Sequence, residues 1–119
     1  MKGMTMDAPD LTKSPPRRGR ELLGGYVWLA RVADIARAQI AGTQGDYVAY
    51  DKITTAWLER LSLAQNTFNA VVEMGADDDF LVMFMNRRVD NARRDKVNRF
   101  ILEEHRADLD KQDREEGYA

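Results

Sequence analysis

From residue 26 onward, apolar residues recur along the chain at helical spacing. No stretch alternates polar and apolar residues long enough to support a sheet. Tyr26, Leu29, Val32, Ala33, Ala36 and Ile40 share one stripe at about 100° per residue. This predicts a helix over residues 26–41, with Arg31, Asp34 and Ala38 on the opposite side and Gly42 as its stop. Asp51 is a credible N-cap for a second helix over residues 52–61, burying Ile53, Trp57 and Leu61. A short turn leads to a third helix, residues 65–74, which offers Phe68, Val71 and Val72 before Gly75 ends it. The run Phe80-Leu81-Val82-Met83-Phe84-Met85 is apolar on all sides. A six-residue strand competes for it, but Asp77, Asp78 and Asp79 supply a cap and a negative first turn, so a fourth helix is expected, central in the fold. A last helix is expected over residues 92–109, with Val97, Phe100 and Ile101 inward.

Ahead of these elements, Pro9, Pro15 and Pro16 interrupt regular helix, and Gly24-Gly25 breaks the chain before the first strong one. The organisation expected is an irregular basic N-terminal arm (residues 1–20), a single helical domain (21–109) and an acidic frayed tail (110–119). The fold class is all-α: a compact bundle of four to five short helices with an irregular Pro-rich N-terminal arm.

Length changes this picture little, since 119 residues suit one domain with a modest core. The absence of cysteine excludes disulfides, thiolate metal sites and cysteine nucleophiles, and favours a reducing compartment. No segment approaches the roughly 20 apolar residues of a membrane helix, and residues 1–10 lack the apolar stretch of a signal peptide. A cytoplasmic protein with no membrane association is expected. The net charge of −2 gives no dominant basic field for nucleic acid. Charge is uneven, however. Lys13, Arg17, Arg18 and Arg20 form one basic cluster, and Arg87, Arg88, Arg93, Arg94, Lys96 and Arg99 a second, while residues 103–116 carry seven acids, among them Asp110, Asp113 and Glu116.

The segment Asp10-Leu11-Thr12-Lys13-Ser14-Pro15-Pro16-Arg17 resembles the opening of bacterial proteins of the Domain of Unknown Function 5069 family. So do Leu23-Gly24-Gly25-Tyr26-Val27-Trp28-Leu29, then Arg31, Asp34, Ala36-Arg37-Ala38, Ala41-Gly42-Thr43 and Gly45-Asp46-Tyr47. Leu61, Leu63, Phe68, Val71, Gly75, Asp77 and Asn98 follow its rhythm more loosely, and the resemblance spans residues 10–100. The chain departs from the family pattern at Ala30, where proline is common, at Ile35, where lysine is, and near Phe84, where a tryptophan is usual. A charged site at the Ile35 position would be altered here. The resemblance implies a small helical bacterial protein and carries over no activity, cofactor or catalytic residue.

Several residues are candidates for a site. Arg31, Asp34 and Arg37 stand three apart, which brings Asp34 near both arginines on a helix. The pair could grip a carboxylate or phosphate, though a structural ion pair is the plainer reading. The basic arm could track phosphates, dock an acidic partner or dock the chain's own acidic tail. Gly24-Gly25 precedes a helix but forms no known phosphate loop, so a reversal needing positive φ is preferred. The connection Thr43-Gln44-Gly45-Asp46-Tyr47 offers polar groups on a loop, and Tyr47 joins the candidate set. His105, the only histidine, reads as a surface residue rather than a catalytic base. Asp77–Asp79 lack the spacing of a calcium loop, Asn98 is expected to bond across the bundle, and the methionines read as core.

The expectation is a non-enzymatic binding or interaction module, acting on a protein partner, a second copy of itself or an anionic ligand, with no catalytic residue, no cofactor and no metal. An alternative is a small enzyme or anion binder whose ligand-binding residues are Arg31, Asp34, Arg37 and Tyr47. A second alternative is a nucleic-acid accessory protein using the two basic clusters, a partner class disfavoured by the charge.

Overall fold

In the computed structural model, which describes residues 7–118, six helices follow one another: α1 (Leu29–Ala41), α2 (Lys52–Arg60), α3 (Gln65–Glu73), α4 (Asp78–Arg88), α5 (Asn91–Glu104) and α6 (Arg106–Glu116). Among the described residues there is no strand beyond an isolated bridge between Leu23 and Tyr26. The all-α class therefore holds, with six helices in place of the four to five expected. The radius of gyration is 13.5 Å, matching the roughly 13.5 Å of a compact chain this long.

Local chemistry sets the helix starts. Asp51, Asp77 and Asp90 each accept a backbone N–H from the first turn that follows, at 2.9, 2.9 and 2.8 Å. The chain enters α1 differently. Gly24 and Gly25 reverse it at φ 59° and 85°, and Trp28 itself is left-handed at φ 79°. Three contacts hold Trp28 there. Its N–H donates to the Gly19 carbonyl at 2.8 Å, its indole N–H donates to the Thr54 hydroxyl at 3.0 Å, and its ring is buried. Asn98 on α5 fastens the same turn from outside, accepting from Val27 N–H at 3.0 Å and donating to the Gly25 carbonyl at 2.8 Å.

Three expectations are corrected. The central helix is α1, not α4: every residue from Leu29 to Ala38 is buried, including Arg31, Asp34 and Arg37, while Ile40 on the expected apolar stripe is 47% exposed. The Phe80–Met85 run is helical as expected, but it buries only Leu81, Phe84 and Met85, and Met83 is 44% exposed. Its all-round apolarity has a different cause, since its outer side lines a groove. Finally, the last helix does not run to residue 109 and fray. It breaks at His105 (φ −110°, ψ 23°), and α6 folds back onto the arm, continuing to Glu116 with Gly117 as a left-handed C-cap. Leu109 anchors it against Gly19 and Trp28; a Cβ on Gly19 would lie 2.6 Å from Leu109 and 2.7 Å from the Trp28 ring.

Residues 7–20 carry no helix, yet Leu11, Pro16 and Gly19 are buried against the body. Residues 1–6 of the expected arm and residue 119 of the expected tail lie outside the described residues.

Candidate functional site

The arm and α6 approach α1 from two sides and bring charge to a buried helix. Asp34 accepts three hydrogen bonds from Arg17: backbone N–H at 2.9 Å, Nε at 3.1 Å and Nη2 at 2.9 Å. The same guanidinium reaches Asp78 at the start of α4, at 2.8 and 3.2 Å. Arg37 donates to Asp78 at 3.0 Å and to the Ala76 carbonyl at 3.0 Å, and stands 3.9 Å from Asp34. Two cations and two carboxylates thus form a closed square. Burial works against the charge on Arg17, but Asp78 and Asp34 outweigh it and raise its pKa above the ordinary value. Burial likewise pushes Asp78 up, yet hydrogen bonds and charge from Arg17 and Arg37 leave it below its ordinary 3.8.

That direction fixes a pH dependence. A carboxyl depressed in the folded state contributes stability that is complete above its unfolded pKa and is lost as pH falls through the folded value. The melting-temperature gap between wild type and Asp78→Asn is therefore expected to stay constant from about pH 7 to 5 and to shrink below about pH 4. A gap that is unchanged at low pH would show that the Asp78 charge adds nothing.

A second cluster lies one turn away on α1. Arg31 donates to both oxygens of Glu116 at 2.8 Å, a bidentate pair, and the Tyr47 hydroxyl donates to the same carboxylate at 3.0 Å. The guanidinium lies 5.6 Å from the Trp28 ring centroid and 5.7 Å from that of Tyr47. Burial, then the bond to Glu116, pushes the Tyr47 phenol up to about 12. Beside it, Arg18 pairs with Asp113, Arg20 bridges Asp113 at 2.8 Å and Asp110 at 2.7 Å, and the Tyr118 hydroxyl donates to the Pro16 carbonyl at 2.7 Å.

The four residues singled out from sequence are thus all buried or half-buried, but they divide. Arg31 and Tyr47 meet at a cavity of about 270 Å³, shared with Asp46, Gln112 and Glu115. Asp34 and Arg37 face the other cluster. Chemically, the Arg31–Tyr47 pair is a carboxylate cradle filled by the chain's own Glu116. The arm meets its own acidic tail, one of the three readings its charge allowed. His105 sits half-buried, with Nδ1 2.9 Å from Asp108 and its ring perpendicular to that of Phe100 at 5.1 Å between centroids. Among the described residues, no three acidic or histidine side chains are placed to hold a metal ion.

A larger cavity lies elsewhere. A groove of about 670 Å³ opens between α3 and α4. Its α3 side is Thr67, Ala70, Val71 and Met74, and its α4 side Phe80, Met83, Phe84, Arg87 and Arg88. Sequence reasoning passed over it because Met74 and Met83 read as core. The legible signal was the outer stripe Phe80, Met83, Phe84 and Arg87, which continues past what one core face needs.

No helix among the described residues is long and apolar enough to cross a membrane. A search among curated proteins finds no match to the chain. The model of a domain of unknown function, family 5069, matches residues 13–119, nearly the whole chain and wider than the resemblance read from motifs, so the chain belongs to that family.

Proposed function

We propose that this protein is a non-enzymatic binding module of the cytoplasm, and that the α3–α4 groove is its docking face. The observation that carries the reading is an apolar floor left open: Met74 is 66% exposed and Met83 44%, both lining a groove large enough for a bound segment. Methionines at an open surface suit adaptable contacts, because their unbranched side chains repack at low cost. By contrast, the charges of the clusters on α1 are each paired with the chain's own residues, which supports a structural role for them.

A photo-crosslinking residue at position 83 tests this in cells, with the same residue at the exposed position 95 as control. Discrete crosslinked products from position 83 that position 95 does not give are expected. Identical patterns from both positions would overturn the groove as a docking face. A turnover abolished by Asp34→Asn would overturn the non-enzymatic reading.

The second reading is an anion-binding site at Arg31 and Tyr47. What favours it is the bidentate geometry with which Arg31 holds the Glu116 carboxylate. A ligand there would have to displace Glu116.

A further inference from the structure

The groove also has a chemistry that narrows its occupant, an inference that rests on the docking reading above. Its α4 stripe changes character along the helix, from Phe80 through Met83 and Phe84 to Arg87 and Arg88. That is a length of about 12 Å at 1.5 Å per residue. No carboxylate lines it. Among the described residues, neither Arg87 nor Arg88 pairs with an acid. The Arg88 guanidinium stacks 4.2 Å from the Phe84 ring centroid, which holds it beside the apolar floor with its N–H donors unspent. The contrast is with the arginines of the arm and of α1. Arg17, Arg18, Arg20, Arg31 and Arg37 are all neutralised by carboxylates of this same chain.

We infer that the groove takes an amphipathic acidic helix of a partner protein. Two or three apolar residues at i, i+3 or i+4, and i+7 would lie on Met74, Phe80 and Met83, and carboxylates at one end would meet Arg87 and Arg88. Two turns of helix match the 12 Å stripe. An open-sided groove favours a helix over a small apolar acid, which needs most of its surface enclosed. An apolar floor is the wrong bed for nucleic acid, which such cations would otherwise attract. The rim arginines then set orientation and partner choice, and the floor provides adhesion.

A displayed library of amphipathic helices tests this, with fixed apolar anchors and flanking positions randomised among Glu, Gln and Lys. It is selected on the full chain, on the Arg87→Glu/Arg88→Glu variant and on the groove-blocked variants Met83→Glu and Thr67→Arg. Circular dichroism and melting confirm that each variant is folded; all four side chains are exposed. Glu is expected to outnumber Lys by about tenfold at one end of peptides selected on wild type. The preference should reverse on the arginine-to-glutamate variant and vanish with salt. Enrichment without charge preference would overturn the acidic occupant and leave the groove standing. Equal enrichment on wild type and both blocked variants would overturn the groove itself. A dimer in sedimentation that Met83→Glu dissociates would name a second copy as occupant and also overturn the inference.

Discussion

Asp34→Ala is expected to cost about 3–5 kcal/mol, lowering the melting temperature on the order of 10–20 °C. The magnitude follows from what the substitution strands. Arg17 loses the acceptor of its backbone N–H and of two guanidinium N–H groups, and Arg37 loses its second carboxylate. Arg37 is nearly inaccessible and has a buried Nε that already lacks a partner, so the surroundings have little capacity to absorb more unpaired charge. Removing one member of a buried pair is far costlier than removing both. The double variant Arg17→Met/Asp34→Leu should accordingly recover part of the loss, and the interaction energy from the four-membered cycle measures the pair directly. A loss below about 1 kcal/mol for Asp34→Ala would mean solvent screens the cluster. Asp34 would then return to the functional candidates, because a stabilising ion-pair role would no longer account for its burial.

This expectation also separates what the sequence could show from what it could not. The caps at Asp51 and Asp77 are local signals, and the helices they start are where those signals place them. Gly24-Gly25 and Gly42 were legible for the same reason, since tolerance of positive φ is a property of glycine itself. The triplet Arg31, Asp34 and Arg37 was legible as charges three apart on one helix, but its partners were not. Arg17 lies 17 residues from Asp34, Asp78 lies 41 from Arg37, and Glu116 lies 85 from Arg31. Spacing on one helix carries no trace of such pairings, so α1 looked amphipathic when it is central. The break at His105 is marked by neither glycine nor proline, and helical periodicity therefore ran on through it. The Phe80–Met85 run was ambiguous for a physical reason: apolarity on every side fits burial within a core and equally fits one face on the core with the other lining a groove.

The chain ended after Leu109 tests the largest of these departures. Sequence polarity alone marks residues 110–119 as a solvated tail whose loss should be harmless. The fold gives them partners: Asp113 for Arg18 and Arg20, Glu116 for Arg31 and Tyr47, and Tyr118 for the Pro16 carbonyl. Truncation leaves Arg31 buried between two aromatic rings with no anion, which costs on the order of 3–5 kcal/mol by itself. It also shortens α6 to a single turn, too little helix to hold Leu109 on Gly19 and Trp28. Against a total stability of about 5–15 kcal/mol, the shortened chain is expected to melt on the order of 20 °C lower or to be largely unfolded at growth temperatures. A melting temperature within about 2 °C of the full chain would return the segment to the status of a tail. Salt then resolves what holds α6. Its arm pairs, Arg18–Asp113 and Arg20–Asp110, are partly open to solvent, whereas Arg31–Glu116 is almost closed. Screening shortens to about 3 Å at 1 M salt, so α6 amides should exchange faster there than at about 0.05 M, while those of α1 should not. Exchange in α6 that ignores salt would assign the helix to Leu109 packing and the buried Arg31 pair alone.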